Sequence, residues 1–182
     1  YGLASIDPLA EAILEQSERA IRDQIALLPA GTYRNRIEIE GQDGPLTLAC
    51  AVTIADGEVI ADFTGTDAQV KGPINSPLAT TLAAVYYVMR CVTDASIPST
   101  EGCKRPIKVI APPGTLVNAR APAAVYQRMI VCHSIVDLVM GALAQAIPDQ
   151  VMADSCGCLY NYTIVTQPDS GQRTVFGEVV PG

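Results

Sequence analysis

Positive charge is scarce in this sequence: 12 Lys+Arg stand against 19 Asp+Glu in 182 residues, for a formal net charge of -7. The tightest basic group is Lys104-Arg105, so nothing offers a phosphate backbone the cationic surface it needs, and nucleic acid and adsorption to an anionic membrane are excluded as partners. Long apolar runs are also missing. The longest, Leu78 to Val92, is broken by Thr80, Thr81 and Arg90 and falls short of the roughly 20 residues of a spanning helix. No basic-then-apolar leader is seen, and six cysteines are too few for a disulfide-built scaffold, so a reduced, cytoplasmic protein is expected. On that expectation the acceptor pattern Asn161-Tyr162-Thr163 goes unglycosylated. A phosphate loop of GxxxxGK[ST] type, a GxGxxG turn and a GxSxG elbow are all absent. If ATP is used, its pocket is expected in another chain or segment.

What is present is apolar: hydrophobic residues make up 49% of the chain, enough for a sizeable core. Asp7-Pro8 reads as a helix start, with Asp7 as the expected cap, and Leu9, Ile13, Leu14, Ile21, Ile25 and Leu28 follow at helical spacing up to Pro29-Ala30-Gly31. The period then drops to two. Tyr33, Ile37 and Ile39 alternate with charged residues; after the Gly41–Pro45 turn, Leu46, Leu48, Cys50, Val52 and Ile54 share one face. Asp56-Gly57 signals a hairpin, and Val59, Ala61 and Phe63 face inward from a third strand. A loop over 64–77 precedes a helix of about 15 residues that is apolar nearly all round and hence buried on several sides. A short strand spans Ile107 to Ile110, a second long helix is expected from Val125 to Ile147, and strands Leu159 to Thr166 and Thr174 to Val180 close the chain. The fold class is α+β: an antiparallel β-meander with packed helices.

Candidate chemistry is spread thinly. His133 is the single histidine, and Asp137 lies one turn on, where it could orient the imidazole as a general base or simply satisfy it. Cys156-Gly157-Cys158 lacks the two-residue zinc spacing, so a zinc module would need Cys103, Cys132 or His133 nearby; packed thiols are the alternative. Cys103 has basic neighbours that could activate a thiol, or is packed. Asp62, Thr64, Thr66, Asp67 and Asn75 sit among glycines and prolines, where they either line a site on a rigid scaffold or make the turn hydrogen bonds themselves.

Several segments, in order, resemble the hydantoinase B/oxoprolinase family: Leu28-Pro29-Ala30-Gly31-Thr32-Tyr33, Asp62-Phe63-Thr64-Gly65-Thr66-Asp67, Gly72-Pro73-Ile74-Asn75-Ser76-Pro77 and Ala84-Val85-Tyr86-Tyr87. They continue with Ile97-Pro98 to Glu101-Gly102-Cys103, Val109 to Asn118 through Pro112-Pro113-Gly114, Pro122-Ala123-Ala124-Val125, and Gly141 to Ala146. No single stretch is specific, but their order and spacing are. The resemblance implies that residues 1–182 form a single segment, central to late, of a B-type subunit about three times as long, cut at both ends. It implies an ATP-dependent hydrolase of a cyclic amide (hydantoin, oxoproline or lactam) or a related acetone- or acetophenone-type carboxylase. An A-type partner would bind ATP and Mg and phosphorylate the substrate; a divalent metal, Zn or Mn, would sit in the upstream remainder of the B-type subunit, and none on this chain alone.

Within that resemblance the expected catalytic residues are Asp62 and His133, and the expected contacts to a small-molecule substrate are Thr64, Asp67, Asn75 and Arg128. One departure stands out. Where the family often carries Gly-Gly-Asn followed by Glu-Thr-Ser, this chain has Tyr126-Gln127-Arg128-Met129-Ile130-Val131-Cys132-His133-Ser134. Arg128 there suits a carboxylate, bicarbonate or phosphate. A competing expectation is that the segment is only scaffold and subunit interface, for which the all-round apolar helix argues.

Overall fold

The structure, a computed structural model, describes residues 5–155, 159–166, 171 and 173–181. The first helix, α1 (Asp7–Ala26), starts one residue earlier than a cap at Asp7 requires: Ile6 is the N-cap without a side-chain bond, and Asp7 lies in the first turn with Pro8. The Ser5 hydroxyl donates to Asp7 Oδ2 instead. Strands β1 (Gly31–Ile39), β2 (Leu46–Ala55) and β3 (Glu58–Asp62) form the expected antiparallel meander, in register Ile39↔Leu46 and Ala55↔Glu58. Between the latter pair Asp56 and Gly57 both take positive φ (52° and 70°), as a two-residue turn matched to strand twist requires.

The short strand β4 (Ile107–Ile110) does not stand apart. It joins β3 in parallel, Val59↔Ile107 to Asp62↔Ile110, giving the sheet order β1-β2-β3-β4. A parallel neighbour needs a long crossover. Residues 63–106 supply it, with helix α2 (Leu78–Cys91) and a 3-10 turn, Glu101–Lys104. Helix α3 (Met129–Leu143) is shorter than the periodicity suggests. Residues 120–128 are taken up by turns, among them Ala123 N–H to Arg120 C=O (3.0 Å) and Arg128 N–H to Val125 C=O (3.2 Å). Local turn bonds and a tie to the neighbouring loop outcompete the helix there.

One face of the sheet carries the core. Leu48, Val52, Val59, Ala61 and Phe63 meet Val85, Val88 and Met89 of α2 and Ile135, Leu138, Val139 and Leu143 of α3 in one buried cluster. α3 lies across β1 and β2, α2 packs on α3, and α1 rests on β3 and the 3-10 turn. Gly141 lets α3 approach β1: a Cβ there would collide with the Asn35 side chain, whose amide donates to Leu138 C=O at 3.0 Å. The all-round apolar helix α2 is buried through Thr81, Ala84, Val85, Val88 and Met89 but leaves Leu78 and Tyr87 exposed. Among the described residues, β5 (Leu159–Thr166) and β6 (Thr174–Pro181) pair only with each other. No helix among the described residues is long and apolar enough to cross a membrane.

Candidate functional site

Two loops, 63–77 and 111–128, lie side by side and are tied together without regular structure. Gln69 N–H donates to Gly114 C=O (2.9 Å), Leu116 N–H to Asp67 C=O (3.0 Å), Ser76 N–H to Leu116 C=O (2.7 Å) and Ala119 N–H to Ser76 C=O (3.0 Å). The Gln69 amide clasps Arg120 from both sides, accepting from its N–H (2.7 Å) and donating to its C=O (3.2 Å). Thr81 of α2 adds a 2.6 Å bond to Val117 C=O, and Gln127 N–H reaches Pro73 C=O at 2.9 Å. A loop that satisfies its own backbone in this way is a preorganised platform rather than a flexible connection.

The polar side chains singled out in the sequence fall into three places. Asp62 and Thr64 are together at the end of β3, where Asp62 Oδ1 accepts from the Thr64 N–H (2.9 Å) and hydroxyl (2.6 Å). Asp67 and Asn75 belong to the platform. Asp67 Oδ2 accepts from Thr47 N–H at 2.7 Å, while the Thr66 hydroxyl exchanges bonds with Ala49 N–H and C=O, each 3.1 Å; β2 thus gains side-chain partners beyond the end of β3. Asn75 is 0% exposed. Its Oδ1 accepts from Val70 N–H (2.8 Å), and its two amide hydrogens serve Val70 C=O (2.8 Å), Gly72 C=O (2.8 Å) and Ala124 C=O (2.9 Å).

Arg128, the N-cap of α3, and His133, in the second turn of that helix, make the third group. Arg128 is exposed and folds back on Val125 C=O at 3.4 Å. His133 is half-buried, and no hydrogen bond joins it to Asp137 among the described residues; Asp137 instead accepts from the Ser155 hydroxyl at 3.1 Å. Cys103 is packed, its thiol directed at Pro98 C=O (3.1 Å). Burial, and then the Asp62 charge, push the Cys50 thiol up to about 12, so it stays protonated. Cys156-Gly157-Cys158 lies outside the described residues. Among those described, no three His, Cys, Asp or Glu side chains could hold a metal ion together.

Two concavities border the platform, and sequence reading named neither. The larger, about 980 Å³, runs between the β1–β2 turn, loop residues 70–74 and α3. Its charged lining is acidic throughout (Glu38, Glu40, Asp43, Asp137, Asp154). The smaller, about 360 Å³, lies on the outer face of the sheet, where Arg34, Arg36 and Thr64 surround a floor of Ala49 and Ala51. The register sets Arg34, Ala51 and Asp62 in one row across three strands, so a guanidinium and a carboxylate flank a small side chain. The alternation of Arg34 and Arg36 was visible in the sequence; the alanines opposite them acquire meaning only through pairing.

This geometry has close counterparts among solved structures. The ATP-dependent caprolactamase from Pseudomonas jessenii superposes with a TM-score of 0.80 at 24% identity, over 96% of this chain and 31% of that one. A nucleotide-free acetone carboxylase gives 0.74 at 15% identity, over 90% and 24%. At such identities the likeness is one of fold, α+β in both. In sequence, the Hydantoinase B/oxoprolinase family model matches residues 1–182, and the chain belongs to that family. A Pseudomonas sp. (strain NS671) protein provisionally assigned as the B-type subunit of a D-/L-hydantoinase is 35% identical over 167 residues, 84% of this chain and 28% of that protein. The 5-oxoprolinase of Saccharomyces cerevisiae is 32% identical over 178 residues, 96% of this chain and 13% of the enzyme. The chain therefore spans less than a third of the length of these relatives.

Proposed function

We propose that this chain is part of the B-type subunit of an ATP-dependent enzyme that hydrolyses a cyclic amide, working with an A-type partner that binds ATP and Mg. The observation that carries this reading is the end-to-end family match, with a 5-oxoprolinase 32% identical over nearly the whole chain. The chemical logic is that an amide carbonyl resists water because of resonance; phosphorylating its oxygen on the partner supplies a leaving group. The part left to the B-type subunit is then to bind the ring, orient it and move protons.

In this reading Asp62 and His133 handle protons, while Thr64 and Arg128 contact the substrate or its phosphorylated form. Asp67 and Asn75 act at one remove, by holding the loops that present the others. A divalent ion, Zn or Mn, belongs to the upstream remainder of the subunit. The scaffold reading has its own support, since the Asp67 and Asn75 side chains are engaged by backbone, and it assigns this whole segment to positioning alone.

The test uses the full-length subunit with its ATP-binding partner. Phosphate release coupled one-to-one to loss of 5-oxoproline, a hydantoin or a lactam supports hydrolysis. Coupling instead to a ketone plus bicarbonate moves the protein to the carboxylase branch. Arg128→Ala and His133→Gln with turnover unchanged leave the segment a scaffold.

A further inference from the structure

The apolar stripe of α1 outruns the body on which the helix rests. Ser17, Ile21 and Ile25 are buried on the 3-10 turn and β3, and Gly102 of that turn fits so closely against Leu14 C=O that no Cβ could be accommodated. At 100° per residue Ile6, Leu9 and Ile13 lie on the same side of the helix as Ser17 and Ile21. Yet they are 71%, 57% and 46% exposed. Two turns of helix with a bare aliphatic face gain little from propensity alone and fray in water. An amphipathic face that continues directly from a buried core is ordinarily completed by more of the same core.

We propose that a segment of the same polypeptide, outside these 182 residues, packs on the Ile6–Leu9–Ile13 face and extends the core along α1. Two observations favour that occupant. The family model matches residues 1–182, so α1 and the sheet belong to one family segment. The chain also makes up only 28% of the hydantoinase-type relative and 31% of the caprolactamase chain, which leaves most of such a protein available to cover it. The inference is independent of the substrate and of the reaction proposed above.

Hydrogen exchange on the full-length subunit, without its partner, tests this directly. Amides of residues 9–16 are expected to exchange as slowly as those of 17–25. The double variant Leu9→Asp/Ile13→Asp speeds them by about 100-fold, given the apolar burial it removes. Glu15→Lys, on the opposite side of the helix, leaves them unchanged. Fast exchange over 9–16 in the unmodified full-length subunit overturns the proposal without any mutation. Protection that appears only on adding the ATP-binding partner, or only as protein concentration rises, overturns it too, assigning the face to the partner or to a second copy.

Discussion

Asn75 offers the sharpest separation between a side chain that contacts substrate and one that holds the fold. Its carboxamide is fully buried and bonded to four backbone groups of the two loops, 63–77 and 111–128. Asn75→Ala orphans the Val70 N–H and withdraws a donor from three carbonyls. At about 1 kcal/mol for each neutral bond, and more for a buried group left unpaired, the loss comes to about 3–5 kcal/mol. For a chain of this length that corresponds to a fall in Tm of roughly 6–20 °C. Asn75→Asp has nearly the same shape but turns donor into acceptor, placing carboxylate oxygens opposite three carbonyls. It is expected to be worse than alanine. Thermal melts followed by circular dichroism, with denaturant titrations, read both. The reasoning is refuted if both variants melt within about 2 °C of the parent while catalysis in the full-length enzyme collapses, for then the amide serves the substrate and not the loops.

Two further outcomes follow from packing and charge. Gly102→Ala drives a methyl into the Leu14 backbone, and Gly141→Ala drives one into Asn35. Each is expected to cost about 1–3 kcal/mol of stability, and because backbone cannot yield as a side chain can, Gly102→Ala should lower the urea midpoint further. Glu18 is held below the ordinary glutamate value of 4.5 by the Arg22 hydrogen bond, then by Arg105; Glu58 is held below it by Lys108, then by Arg22. A depressed carboxylate contributes stability that is complete above 4.5 and lost as pH falls through the folded value. Arg22→Met should therefore flatten the drop in urea midpoint between about pH 6 and about pH 3. An unaltered slope would show that these exposed pairs contribute nothing.

Local periodicity and punctuation account for the secondary-structure elements that were legible in the sequence. The alternation from Tyr33 to Ile39 and from Leu46 to Ile54, and the Asp56-Gly57 turn, specify a meander with one apolar face, because a strand shows its face every second residue. The order of loop motifs was enough for the family. The rest came from long-range packing. The parallel place of β4 depends on where a 44-residue crossover returns, which spacing does not encode. The late start of α3 arises because Gln127 N–H finds Pro73 across the loops before it finds a helical carbonyl. The roles of the polar residues were divided in the same way. Asp, Asn and Thr in a glycine- and proline-rich loop look alike in sequence whether they face a ligand or a backbone amide. Only the fold sets Asn75 among three carbonyls while leaving Arg128 exposed, and only strand pairing lays Ala51 between Arg34 and Asp62. Long-range partners are chosen by burial and by the need to satisfy every buried polar group, and neither is a property of the neighbouring residues.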